Sequence, residues 1–228
     1  MGTQKNSSNT LLISYMTLRK AIGFLAISLP AILILGTFTL GGCTQVQASI
    51  SHYYYTIMGD VFVGYLIATG IFLISYKGYD LKDNIVSFLA GIFVLCIALF
   101  PTSQNEDSGC IIRTLSNVPL RINTHYISAA LFYLTLSYMS LFLFTKSAGA
   151  KTKQKITRNK VYRVCGVMIL VALLMIFFED YIPGLKTGSF KPTFWFEWVA
   201  NLSYGISWLI KGEFLLKDRD VSPDQVNL

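Results

Sequence analysis

Charge is scarce in this chain. Of its 228 residues only 14% are Asp, Glu, Lys or Arg, whereas a soluble domain carries about a quarter. The deficit is uneven: long stretches hold no charge, and the charges cluster between them. That distribution excludes an ordinary soluble domain and fits a chain whose length lies mostly in hydrocarbon. Histidine is scarcer still, at two residues, and neither stands in an H-x-x-x-H or H-E-x-x-H spacing. No metal and no cofactor is therefore expected. The chain also contains no G-x-x-x-x-G-K-[ST] phosphate loop, no G-x-S-x-G elbow and no C-x-x-C-H haem site, so those chemistries have no anchor. A net charge of +7 raises nucleic acid as a partner. It is excluded because the basic residues flank apolar segments, where they set topology and meet anionic lipid.

Apolar residues are abundant, at 53%. Six segments approach the roughly 20 residues that a spanning helix needs: 21–40, 59–76, 85–100, 125–145, 161–178 and 194–210. A membrane β-barrel would alternate apolar and polar positions. Ile92-Phe93-Val94-Leu95-Cys96-Ile97-Ala98-Leu99 is apolar throughout, so helices are the reading. The fold class is an all-α integral membrane bundle of six transmembrane helices. Residues 1–20 form a cytoplasmic tail, 21–210 the membrane domain and 211–228 a second cytoplasmic tail. Pro30 falls inside the first helix and predicts a kink. Asp83 or Asn84 is placed to cap the third helix.

Lysine and arginine mark the cytoplasmic side. With the N-terminus inside, 15 of the 19 basic residues are cytoplasmic, seven of them between Lys146 and Arg163. Both termini are then inside. The loops around Lys82 and Lys155 are cytoplasmic, and those around Gln47, Asp107 and Lys186 lie outside. Leu40-Gly41-Gly42-Cys43 looks like a lipoprotein cleavage box, but the preceding apolar run exceeds the 7–15 residues of a signal core, so a retained helix is expected. Cys43 and Cys110 fall in outer loops and form a candidate disulfide. Cys96 and Cys165 lie within helices and read as small apolar residues.

An ionisable group near hydrocarbon is costly and marks a functional site by default. Asp60, His125 and Glu197 sit at outer helix ends, with His52 just before the second helix. On the sixth helix Glu197, Asn201 and Gly205 share a stripe at i, i+4 and i+8. Asp60, Gly64 and Ala68 make a similar stripe on the second. The two stripes are expected to face each other, with Asp60, His125 and Glu197 converging on an outer pocket. Tyr53, Tyr54, Tyr55, Tyr126, Tyr181, Trp195 and Trp198 read as an outer aromatic belt, and Tyr76, Tyr79 and Trp208 as its inner counterpart. Three functions stay open on these residues. The first is binding of a lipid or small ligand from the outer side. The second is a membrane-embedded hydrolase or lipid-modifying enzyme using Asp60, His125 and Glu197. The third is a structural subunit of a membrane complex.

The segments Ser49-Ile50-Ser51-His52-Tyr53-Tyr54-Tyr55-Thr56, Gly59-Asp60-Val61-Phe62-Val63-Gly64, Tyr76-Lys77-Gly78-Tyr79-Asp80, Ala98-Leu99-Phe100-Pro101-Thr102 and Trp208-Leu209-Ile210-Lys211-Gly212 resemble those of bacterial six-helix multi-pass membrane proteins with no assigned activity. The resemblance covers most of the chain. It implies this topology and a bacterial origin; the expected location is then the inner membrane, with membrane lipids as partners. A looser likeness is to the alkaline ceramidase and adiponectin-receptor superfamily. That family has seven helices and a three-histidine zinc site, and this chain departs on both counts.

Overall fold

The computed structural model describes residues 2–104, 110–147, 152–185 and 190–217, with side chains from Tyr15 onward. Asp107, Lys186 and the end of the C-terminal tail lie outside the described residues. The described chain is all-helical: α1 (Gly2–Leu40), α2 (Gly59–Ser75), α3 (Leu81–Leu99), α4 (Pro119–Tyr138), α5 (Lys153–Phe178) and α6 (Pro192–Lys211). A 3-10 turn, Ile50–Tyr55, precedes α2, and a π-turn, Met139–Leu143, extends α4.

Local chemistry sets the boundaries. Pro119 and Pro192 open α4 and α6 at a first-turn position, where a missing N–H costs nothing. The Thr152 hydroxyl accepts from Lys155 N–H at 3.0 Å and caps α5. The cap of α3 is Asp80, not Asp83 or Asn84: its carboxylate accepts from Asp83 N–H at 3.0 Å. Asp83 and Asn84 instead reach back to the Tyr79 and Gly78 N–H groups, at 3.0 and 2.7 Å. The caps are thus reciprocal, and each satisfies a backbone donor that the helix leaves open.

Four helices are long and apolar enough to cross a membrane: Tyr15–Leu40 of α1, Leu81–Leu99, Pro119–Leu143 and Lys153–Tyr181. Pro30 lies within α1 without ending it. α2 is apolar but only 17 residues long, a rise of about 26 Å. α6 has 20 residues, and its buried face includes Asn201, Ser203, Tyr204 and Ser207. Its polarity belongs to the bundle interior. Outward faces are apolar on the other helices, as at Leu35, Ile71, Phe88, Leu134 and Leu174. So extended an exposed apolar surface suits lipid and not water.

The helices pack in chain order as a ring, each against the next, and α6 closes on α1. Close approach at two seams depends on glycine. A Cβ on Gly205 would lie 2.8 Å from the Gly23 carbonyl oxygen of α1. One on Gly91 would lie 2.9 Å from that of Gly70, between α3 and α2. Small residues allow such backbone contact between helices. Serines tie other seams: Ser137 donates to the Gly166 carbonyl at 2.8 Å, and Ser140 to Ser207 Oγ at 3.1 Å.

Aromatic side chains fill the core. Trp208 packs edge-on against Tyr76 and Phe144, with centroids 4.9 and 5.2 Å apart. Tyr76 and Trp208 are buried in protein and form no inner interfacial belt. Tyr53 and Tyr55 are equally buried, at 0% and 1% exposure, because the 3-10 turn folds them under the bundle rim. Only Tyr126, Tyr181 and Trp195 of the expected outer belt are strongly exposed.

Cys43 and Cys110 are joined, with Cα atoms 5.4 Å apart. The same strap is held by backbone hydrogen bonds from Ile112 and Arg113 to the Tyr55 carbonyl, at 2.9 and 3.2 Å. This end of the bundle is the disulfide end. The opposite end carries Lys146, whose ammonium grips Asp80 and Asp83 at 2.8 and 2.5 Å.

Candidate functional site

A cavity of about 650 Å³ opens at the disulfide end, between α4, α5 and the start of α6, roofed by the 3-10 turn. Its volume lies within the range of small-molecule sites. Two kinds of wall meet in it. Ala129 and Ala130 of α4 and Leu173, Ile176 and Phe177 of α5 make an apolar side. His52, His125, Glu179, Lys191 and Glu197 are gathered at the polar side.

The 3-10 turn positions His52. Ser49 caps the turn by accepting from the His52 N–H at 3.3 Å. Its own proton is then free to donate to His52 Nδ1, 2.6 Å away. With Ser49 as the donor the ring proton sits on Nε2, and with Nδ1 as the donor it sits on Nδ1. Nε2 is buried and has no protein partner among the described residues. Burial, then the neighbouring His125 and Lys191, push the imidazole down to about 4. The ring is neutral at physiological pH.

His125 is 2% exposed. Its Nδ1 donates to the Phe100 carbonyl at 2.8 Å, a group released by the end of α3 at Leu99. Glu197 lies one turn into α6 and accepts from the Ile50 N–H at 2.5 Å. It thereby satisfies an open donor of the 3-10 turn, and that bond joins α6 to the cavity roof. Glu197 also borders a small cavity of about 40 Å³ beneath, together with Asn201 and Tyr133. There Asn201 donates to Tyr133 OH at 3.3 Å.

Asp60 is not part of this site. Its side chain is 86% exposed and pairs with Arg113 at 2.7 Å. A Cβ on Gly64, in the same stripe, would meet nothing within 4 Å. The stripe on α2 therefore faces outward, and α6 packs between α1 and α5 instead. The sequence places Asp60 at the right depth but on the wrong side of its helix. His125, Glu197 and His52 do line one cavity, with Asn201 one turn below Glu197.

The residues that sequence reasoning misses are Lys191 and the apolar wall; Glu179 it places at the outer end of the fifth helix without assigning it to the pocket. In the sequence Lys191 counts only as a loop charge. The signal for it is the adjacent Pro192, which starts α6 and makes Lys191 the residue at its mouth, where it lines the cavity. Glu179 ends α5, where it accepts from the Thr193 hydroxyl at 2.6 Å. Among the described residues no three His, Cys, Asp or Glu side chains are placed to hold a metal ion. The chain matches no family model, no curated protein and no solved structure.

Proposed function

We propose that this chain is a bacterial inner-membrane protein that crosses the bilayer six times, with both ends cytoplasmic, and binds an amphipathic lipid or lipid-like ligand from the outer side. The cavity carries the reading. Its polar side holds Lys191 and Glu179, residues of opposite charge, with Glu197 beside them, which suits a zwitterionic head. Its apolar side, Leu173, Ile176 and Phe177, suits a hydrocarbon chain entering between α4 and α5. Phe177 is 72% exposed at that edge, so the apolar wall continues onto the lipid-facing surface.

The topology is supported by the same polarity. Fifteen of the 19 basic residues belong to the segments that the N-in reading makes cytoplasmic, and Lys146 is one of them. The disulfide sits at the other end, where an oxidising compartment would maintain it. α2 is about 26 Å long, close to the ~30 Å hydrocarbon core, and α6 is screened by its neighbours. The hydrolase alternative requires Asp60 beside His125 and Glu197, and Asp60 is paired elsewhere with Arg113. No observation favours it over binding.

Ala130→Trp tests the reading, because it fills the apolar wall without touching a polar group. Full-length protein in mild detergent should retain about one lipid-sized adduct in native mass spectrometry, and Ala130→Trp should lose it. Equal retention by the two proteins would exclude the cavity as the binding site.

A further inference from the structure

The Lys146 end holds a second cavity, of about 240 Å³, with an opposite character. Among the described residues five cationic side chains line it, Arg19, Lys146, Lys155, Arg158 and Lys211, against one carboxylate, Glu213. They come from α1, the turn after α4, α5 and the end of α6, so the fold and not one basic run assembles them. A basic loop alone explains topology. It does not explain why charges distant in sequence turn toward a common space.

Lys211 is the decisive residue. It is 6% exposed, and no carboxylate among the described residues lies within ion-pair distance of it. Its ammonium rests instead over the rings of Tyr79 and Phe144, at 4.6 and 5.4 Å. Arg19 is held the same way, with its guanidinium 4.3 Å over Tyr15 and 5.6 Å over Tyr76. Its Nε is buried without a partner among the described residues, while one terminal nitrogen donates to the Lys211 carbonyl at 3.2 Å. Aromatic faces hold a cation in place without neutralising it. A buried charge without a counter-ion is costly, and an anion entering this cavity would lie among all of these cations.

Among the described residues the nearby carboxylates do not supply that counter-ion. Asp80 and Asp83 are both engaged by Lys146. Glu213 stands 3.9 Å from Arg158 and takes a left-handed backbone, at φ 55°. It gets there because the chain closes α6 with paired bonds, Phe214 N–H to the Leu209 carbonyl and Glu213 N–H to the Ile210 carbonyl, at 2.9 and 3.1 Å. That closure folds the chain back and completes the wall. A non-glycine residue in this conformation is strained, and such strain persists only where its surroundings enforce it.

We infer that this cavity binds a phosphate group, as a monoester or diester, through Arg19, Lys155 and Lys211. Arginine and lysine side chains donate to phosphate oxygens in charge-assisted hydrogen bonds. The 240 Å³ volume is several times the roughly 30 Å³ share of one water, so a phosphate and part of its ester substituent fit. On the proposed topology the cavity lies at the inner headgroup level. The phosphate then comes either from an anionic lipid or from a soluble phosphorylated compound. The inference is independent of the outer cavity and its ligand.

The test uses the full chain in two settings. In uncharged detergent it is titrated with inorganic phosphate and with glycerol phosphate, followed by calorimetry and by the unfolding midpoint. In nanodiscs of phosphatidylcholine it is compared with and without phosphatidic acid. Saturable stabilisation in detergent identifies a soluble source, and stabilisation only with phosphatidic acid identifies a lipid source. Lys211→Met should weaken binding about tenfold or more, the worth of one charge-assisted bond. Without phosphate the same variant should melt at or above the wild-type temperature, since it removes an uncompensated buried charge. A purely structural lysine would give the reverse, a lower midpoint with unchanged phosphate response. Lys155→Gln, at a more open position, should weaken binding in the same direction and serves if Lys211→Met does not fold. Absence of saturable binding in both settings, or equal binding by wild type and Lys155→Gln, overturns the inference.

Discussion

Reducing the Cys43–Cys110 bond should loosen the outer end of the bundle by an amount that can be worked out. The bridge closes a segment of 67 residues, and the chain-entropy relation gives about 4 kcal/mol for a loop of that size. Lipid complicates this, because α2 and α3 stay helical when tertiary packing is lost. They take 17 and 19 of those residues, leaving about 31 flexible ones. The dependence on length is logarithmic, so the result is still about 4 kcal/mol. For a chain of 228 residues that corresponds to a fall of about 8–16 °C in unfolding midpoint. Cys43→Ser with Cys110→Ser should reproduce the effect of reductant and abolish any further response to it. The assay is thermal unfolding in nanodiscs with and without reductant. The Ile112 and Arg113 bonds to Tyr55 remain in the reduced protein, so it should still fold. A midpoint shift under about 2 °C would refute the claim that this bond holds the strap over the bundle.

Two further outcomes follow from particular residues. The folded-state value of His52 lies below its ordinary 6.5, at about 4, so the neutral ring contributes stability above pH 6.5 that is lost as pH falls toward 4. The loss is at most about 3 kcal/mol. His52→Gln should flatten the pH dependence of the midpoint between 7 and 4.5, and an unchanged slope would show that other groups carry it. At the α1–α6 seam, a Cβ on Gly205 would meet the Gly23 carbonyl at 2.8 Å, whereas one on Gly64 meets nothing within 4 Å. Gly205→Leu should therefore cost about 1–3 kcal/mol or more by overpacking, and Gly64→Ala should be neutral to slightly stabilising. Equal effects of the two in denaturant titration would contradict the packing described.

Sequence carries the helices well and the site only in part. Depth along a helix is legible from hydropathy, which is why His125 and Glu197 can be placed at one level. Rotation about the axis is not legible when a helix is apolar nearly all round, as α2 is. Asp60 falls outside the site for that reason, and its partner Arg113 sits in a loop without periodicity. The apolar wall at Leu173, Ile176 and Phe177 uses the same residue types as the lipid-facing surface, so nothing in composition separates a cavity wall from an outer face. Tyr53 and Tyr55 look interfacial because aromatic clusters at helix ends usually are. The Ser49 cap is the available sign that the segment turns inward as a 3-10 helix. α6 shows the opposite case: its Glu197, Asn201, Gly205 stripe marks an inward face from sequence, and Asn201 and Gly205 are buried.

The proposed ligand stands or falls on what occupies the outer cavity. Electron cryomicroscopy of the full-length protein in nanodiscs, with bound fragments to add mass, addresses this directly. Lipid binding predicts elongated density between α4 and α5, its broad end against His52, Lys191 and Glu197 and its narrow end along Leu173 and Phe177. A cavity closed by inward movement of α5, or filled only by density for separate waters, would contradict it.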